Sequence, residues 1–136
     1  MKIVLDSNVL ISGVVFGGVP RKILEYWIEG EFDILLSDSV FEEYDHVIRR
    51  KKFQIDYITI QNVLEYIAKD GKWIQVKTQI EIVKDKTDNK FFSLAIDGQA
   101  DYLVSGDALV VETKQEIVRV LTPKAFLEVI NQKEQE

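Results

Sequence analysis

The sequence predicts an α/β fold, a central parallel β-sheet flanked by helices. Short apolar runs alternate along the chain with stretches whose apolar residues recur at helical spacing. The runs are apolar on consecutive residues, the pattern of strands buried on both faces, and such strands need helices to cover them.

Lys2–Leu5 reads as the first buried strand, and Asp6 onwards as a turn entering a helix. Pro20 suits a first helical turn. Ile23, Leu24, Trp27 and Ile28 follow at helical spacing, with Gly30 as the stop. Asp33–Leu36 is a second strand. Ser37-Asp38-Ser39 offers caps for a helix whose apolar face is Val40, Tyr44, Val47 and Ile48. A further helix runs through Asp56–Lys69, with a short strand around Lys72–Val76. Thr87 suits the cap of a helix in which Phe91, Phe92, Ala95 and Ile96 face inward, ended by Gly98. Tyr102–Val104 and Val118–Leu121 are continuous apolar strands. Thr122-Pro123 combines an N-cap with a first-turn proline ahead of Phe126, Leu127 and Ile130. With no repeat, low-complexity stretch or linker, residues 1–136 read as a single domain.

Composition excludes several classes. Cysteine is absent, which removes disulfides, zinc–thiolate sites and thiol nucleophiles and agrees with a cytoplasmic location. No apolar run approaches the roughly 18 residues of a membrane span, and the start carries no basic region followed by a cleavage site. The net charge of −6 argues against a protein that binds nucleic acid mainly by neutralising phosphates. The basic run Arg49-Arg50-Lys51-Lys52 is the local exception, and it also suits the end of a helix, where cations face the negative pole of the dipole.

Binding sites in open parallel sheets form outside the carboxyl ends of the strands. Asp6 follows the first strand. Ser37-Asp38-Ser39 and the helix with Glu42-Glu43 follow the second, and Ser105-Gly106-Asp107 follows Tyr102–Val104. Asp88 opens the helix that feeds that strand. Residues about 100° apart on a helix place Glu42 toward solvent and Glu43 at the border of the apolar face. Glu42 also suits a capping box with Ser39, and His46 falls on the exposed side. Singly, Asp6 reads as a cap, Asp88 as a first-turn acid and Asp107 as part of a turn. Together they point to one end of one sheet, where clustered carboxylates repel one another unless a hard cation such as Mg²⁺ or Mn²⁺ relieves them.

These segments resemble the PIN-domain family of metal-dependent ribonucleases, particularly toxin components of toxin–antitoxin pairs. "VLDSNVLIS" resembles the family's opening strand with its Asp-Thr-Asn signature. "LLSDSVFEEYDHVIRRKKF" resembles the segment whose functional glutamate maps to Glu43. "DKTDNKFFSLAIDGQADYLVSGD" resembles the segments that map to Asp88 and Asp107, and "VLTPKAFLEVI" the closing strand and helix. Ser7 and Ser105 stand where threonine is usual, Asp85-Lys86-Thr87-Asp88 where Asp-Pro-Asp-Asp is frequent, and Leu109 where another aspartate is frequent.

The resemblance implies a three-layer α/β/α sandwich. It also implies one or two Mg²⁺ or Mn²⁺ ions held by Asp6, Glu43, Asp88 and Asp107, and hydrolysis of RNA phosphodiesters by water activated on the metal. Ser7, Asn8 and Ser105 would orient ligands or phosphate oxygens, and Arg49, Arg50, Lys51 and Lys52 would steer RNA. An RNA substrate, a protein antitoxin and a homodimer are the partners it implies, with no membrane. Leu109 favours an alternative, a catalytically silent PIN-like module that binds RNA or protein. A phosphatase- or receiver-type site with Asp6 as phosphoryl acceptor is disfavoured, because Asp6-Ser7-Asn8 lacks the second aspartate of Asp-x-Asp.

Overall fold

The computed structural model describes residues 1–78, 86–106 and 118–135, with the backbone alone for 86–88. Five parallel strands form the sheet: β1 (Lys2–Leu5), β2 (Asp33–Leu36), β3 (Lys72–Trp73), β4 (Tyr102–Val104) and β5 (Val120–Leu121). Their spatial order is β3-β2-β1-β4-β5. The chain therefore winds outward from β1 in one direction and then returns to its other side, so the order reverses between β1 and β4. The register places Leu5 beside Val104 and Ile3 beside Ile34.

Ile3, Val4 and Leu5 are all buried, as are Ile34, Leu35 and Leu36. Successive strand residues point to opposite faces, so both faces of the sheet are covered, in the three-layer arrangement expected. The helices are α1 (Ser7–Val15), α2 (Gly18–Ile28), α3 (Asp38–Ile48), α4 (Tyr57–Asp70), α5 (Lys86–Asp97) and α6 (Pro123–Glu134), with a 3₁₀ turn at Lys51–Phe53. Helix α5 packs directly on β1, β2 and β4, while α3 lies against α1, α4 and α5. A satellite cluster of Ile11, Val47, Ile48, Ile60 and Leu64 ties α1, α3 and α4 together beside the main core.

Several ends differ from the sequence reading. The N-cap of α3 is Ser37, whose Oγ accepts from the Val40 amide at 3.2 Å, so Ser39 and Glu42 form no capping box. Thr87 lies inside α5, which begins at Lys86. β3 stops at Trp73 rather than Val76, because its neighbour β2 ends at Leu36 and Ser37 turns away to cap α3. β5 likewise spans only Val120–Leu121, opposite Leu103 and Val104. Ile28 is exposed while Trp27 joins the core. Thr122 does cap α6, accepting from the Ala125 amide, with Pro123 in the first turn.

Gly71 ends α4 where the chain passes against β2. A Cβ there would sit 2.2 Å from Leu36 Cδ1 and 2.8 Å from the Ile67 carbonyl oxygen, and the latter is backbone that cannot move aside. Gly71→Ala is expected to lower stability by about 1–3 kcal/mol. The measurement is urea unfolding, read as a lower midpoint with an unchanged slope.

Candidate active site

Asp6 leaves β1 at its carboxyl end and becomes the N-cap of α1. Its Oδ1 accepts from the Val9 amide at 2.9 Å, and its own amide donates to the Val104 carbonyl at 3.0 Å. The Ser105 hydroxyl, at the end of β4, donates to Oδ2 of the same carboxylate. Asp6 and Ser105 are both buried. They stand on either side of the β1–β4 boundary where the strand order reverses, which is where parallel α/β sheets open a ligand crevice. The helix N-terminus further favours a negative charge at Asp6.

Tyr44 underlies this end of the sheet. Its buried hydroxyl donates to the Leu5 carbonyl at 2.5 Å and so pins α3 to the end of β1. Burial, followed by the nearby Asp6 carboxylate, pushes the tyrosine hydroxyl well above its ordinary pKa. Tyr44 therefore stays protonated and serves as a donor, not a base.

Glu43 precedes Tyr44 and sits half-buried beside it, whereas Glu42 and His46 are exposed, as the helical wheel separates them. Across the α3–α5 contact, Glu43 Oε2 lies 3.2 Å from the Lys90 ammonium. Asp88 lies in the first turn of α5, two residues before Lys90, and its side chain is outside the described residues. Asp107 and Leu109 are also outside them.

Of the hydroxyl and amide groups expected nearby, Ser105 binds Asp6 directly and Asn8 is exposed. Ser7 is buried, and its Oγ alone among the described buried side-chain polar atoms has no hydrogen-bond partner. The basic run starts at the C-cap of α3. There the exposed Arg49 guanidinium pairs with Asp45, while Arg50, Lys51 and Lys52 are exposed and join none of the ion pairs seen among the described residues. Lys90 and Tyr44 were not on the list of site residues that the sequence suggested. A wheel on α5 would have flagged the neighbouring buried Asn89, which shares a face with Phe92 and Ile96.

The described donors suit a hard divalent cation in kind: carboxylate oxygens, a serine hydroxyl bound to one of them, and a buried serine hydroxyl still lacking a partner. Among the described residues, no three acidic or histidine side chains form a group that would hold an ion by themselves. Mg²⁺ typically takes only one or two carboxylates, with waters and substrate phosphates completing its shell.

The two serines should respond in opposite ways. Ser105→Ala removes a donor from a buried carboxylate and is expected to cost about 1–3 kcal/mol. Ser7→Ala removes a hydroxyl with no partner and is expected to leave the unfolding midpoint unchanged or raised. Metal-free urea unfolding of both variants is the measurement.

Comparison with known proteins adds the family. A family model described as PIN domain matches residues 2–109. The uncharacterized protein MJ1680 of Methanocaldococcus jannaschii is 26% identical over 141 residues, covering 94% of this chain and 90% of that protein. The crystal structure of VapBC2 from Rickettsia felis bound to a DNA fragment from their promoter contains a similar chain. It matches with a TM-score of 0.61 at 16% identity, covering 90% of this chain and 98% of that one. At that identity the likeness concerns the fold. The family model spans most of the chain and takes in Asp6, Glu43, Asp88 and Asp107, and on that match the protein belongs to the PIN-domain family.

Proposed function

We propose that the protein is a divalent-metal-dependent ribonuclease that hydrolyses RNA phosphodiester bonds, acting in the cytoplasm as the toxin of a toxin–antitoxin pair. The observation that carries this reading is Asp6, a buried carboxylate fixed between the Val9 amide and the Ser105 hydroxyl at the reversal point of the sheet. A charge there interrupts an otherwise apolar stretch, and family membership supports a nuclease role for it.

Asp6 and Glu43, with Asp88 and Asp107, would hold one or two Mg²⁺ or Mn²⁺ ions. When bound, such an ion supplies Lewis-acid stabilisation of the phosphate and a water of lowered pKa. The chain's own residues do the positioning. Val9 and Ser105 hold the Asp6 carboxylate in one orientation, one donor on each oxygen. Tyr44 sets the height of α3 against β1, and with it the backbone of Glu43. No nucleophilic side chain and no histidine are needed.

Arg50, Lys51 and Lys52 would steer the RNA backbone, an effect that salt screens. A protein antitoxin and a second copy of the chain are the proposed protein partners. The similarity to a chain of a VapBC assembly supports a paired partner. No helix among the described residues is long and apolar enough to cross a membrane.

The test is cleavage of a fluorescent single-stranded RNA in Mn²⁺, Mg²⁺ or EDTA. Wild type should cut with either metal and be silent in EDTA. Asp6→Asn should lose more than about 100-fold, beyond the range of outer-shell partners. The variant should fold normally, since asparagine caps a helix as well as aspartate and its amide can donate to Ser105 Oγ. Undiminished cleavage by Asp6→Asn would remove Asp6 from the site. Metal-independent silence of the wild type on every RNA would favour the binding module that Leu109 suggests.

A further inference from the structure

We propose that Lys90 is a phosphate-binding residue of the RNA site, held ready by Glu43; this rests on the ribonuclease reading. Three ion pairs are seen among the described residues. Lys22–Glu25 and Arg49–Asp45 join exposed side chains three or four residues apart on one helix. Lys90–Glu43 alone crosses between two helices, with side chains only 27% and 16% exposed.

Withdrawing two charges from water to that extent offsets much of their attraction, so stability is a weak reason for the pair. Its position offers a better one. Lys90 follows Asp88 by two residues on α5 and touches the glutamate of α3 that borders the site. A cluster of carboxylates repels a phosphodiester as well as itself. Lys90 is the cation that, among the described residues, directly contacts one of those carboxylates.

Lysine suits both tasks. Its ammonium carries three N–H donors and no acceptor. One N–H serves Glu43, and the partial exposure of the side chain leaves the others reachable from solvent. Glu43 removes the freedom of a long side chain before substrate arrives, which lowers the ordering cost of binding. A phosphate oxygen then accepts from the remaining donors as a charge-assisted hydrogen bond.

The test measures binding without turnover. Anisotropy of a short fluorescein-labelled single-stranded RNA is followed in EDTA across about 50 to 200 mM KCl, the range in which phosphate contacts are lost. Lys90→Gln should weaken binding several-fold and make the slope of log K against log salt shallower by about 0.7, one phosphate contact on a single strand. Lys90→Met keeps the apolar stem in place without the charge and should behave alike, should the glutamine variant fold poorly. Lys90→Arg should retain the slope. Lys22→Gln, which alters an exposed pair on α2, should leave it unchanged. A wild-type slope in folded Lys90→Gln or Lys90→Met would overturn the proposal and leave the ribonuclease reading standing. Wild-type protein that fails to bind RNA in EDTA at any salt would overturn this proposal alone, because the ribonuclease reading rests on metal-dependent cleavage and is tested by that separate assay.

Discussion

The hydrogen bond from the Ser105 hydroxyl to the Asp6 carboxylate joins the carboxyl ends of β1 and β4, the two strands between which the order of the sheet reverses. Much of the structure around the site follows from keeping that carboxylate buried. A desolvated charge is tolerated only where donors surround it. Two of its donors come from elements far apart in sequence, a backbone amide of α1 and a side chain at the end of β4. The bond thus requires β4 to lie directly beside β1. The chain reaches that adjacency by running out through β2 and β3 and then crossing back.

Packing carries the constraint outward. Tyr44 is buried among core residues, and its hydroxyl reaches the Leu5 carbonyl, one residue before Asp6. Below it, Val47 and Ile48 of α3 join Ile11 of α1 and Ile60 and Leu64 of α4. Helix α3 is therefore fixed at two levels, by a polar pin near the crevice and an apolar cluster beneath. Glu43 inherits its place from Tyr44, since neighbouring helical residues are turned by about 100°. A glutamate on an exposed helix would need to be ordered by its ligand, whereas this one is ordered by the core.

The sequence made the strands legible because β1 and β2 bury consecutive residues, a signal that periodic analysis detects readily. Glu43 and Glu42 could be told apart for a related reason: Val40, Tyr44, Val47 and Ile48 define one face of α3 clearly enough to orient both. Element ends were less legible. Ser37 and Ser39 are equally good caps by residue type, and Ser37 takes the role because β2 ends at Leu36. β3 and β5 are short for the same kind of reason, their lengths being set by neighbours and not by their own residues. Lys90 was not legible at all. A lysine in the second turn of a helix reads as solvated, and only the approach of α3 to α5 turns it into the partner of a glutamate.

The two described carboxylates of the candidate site, Asp6 and Glu43, meet partners of different kinds. Asp6 accepts from an amide and a hydroxyl at the N-terminus of α1. Glu43 is satisfied by an ammonium group on a flexible stem, which can rotate away or share its protons. A site built solely for stability would gain more from apolar residues at both positions. A carboxylate that accepts from an amide and a hydroxyl, near another that meets an ammonium, gives this end of the sheet groups of both signs. The proposed function calls for both signs, a divalent metal at the carboxylates and a phosphate anion at the ammonium.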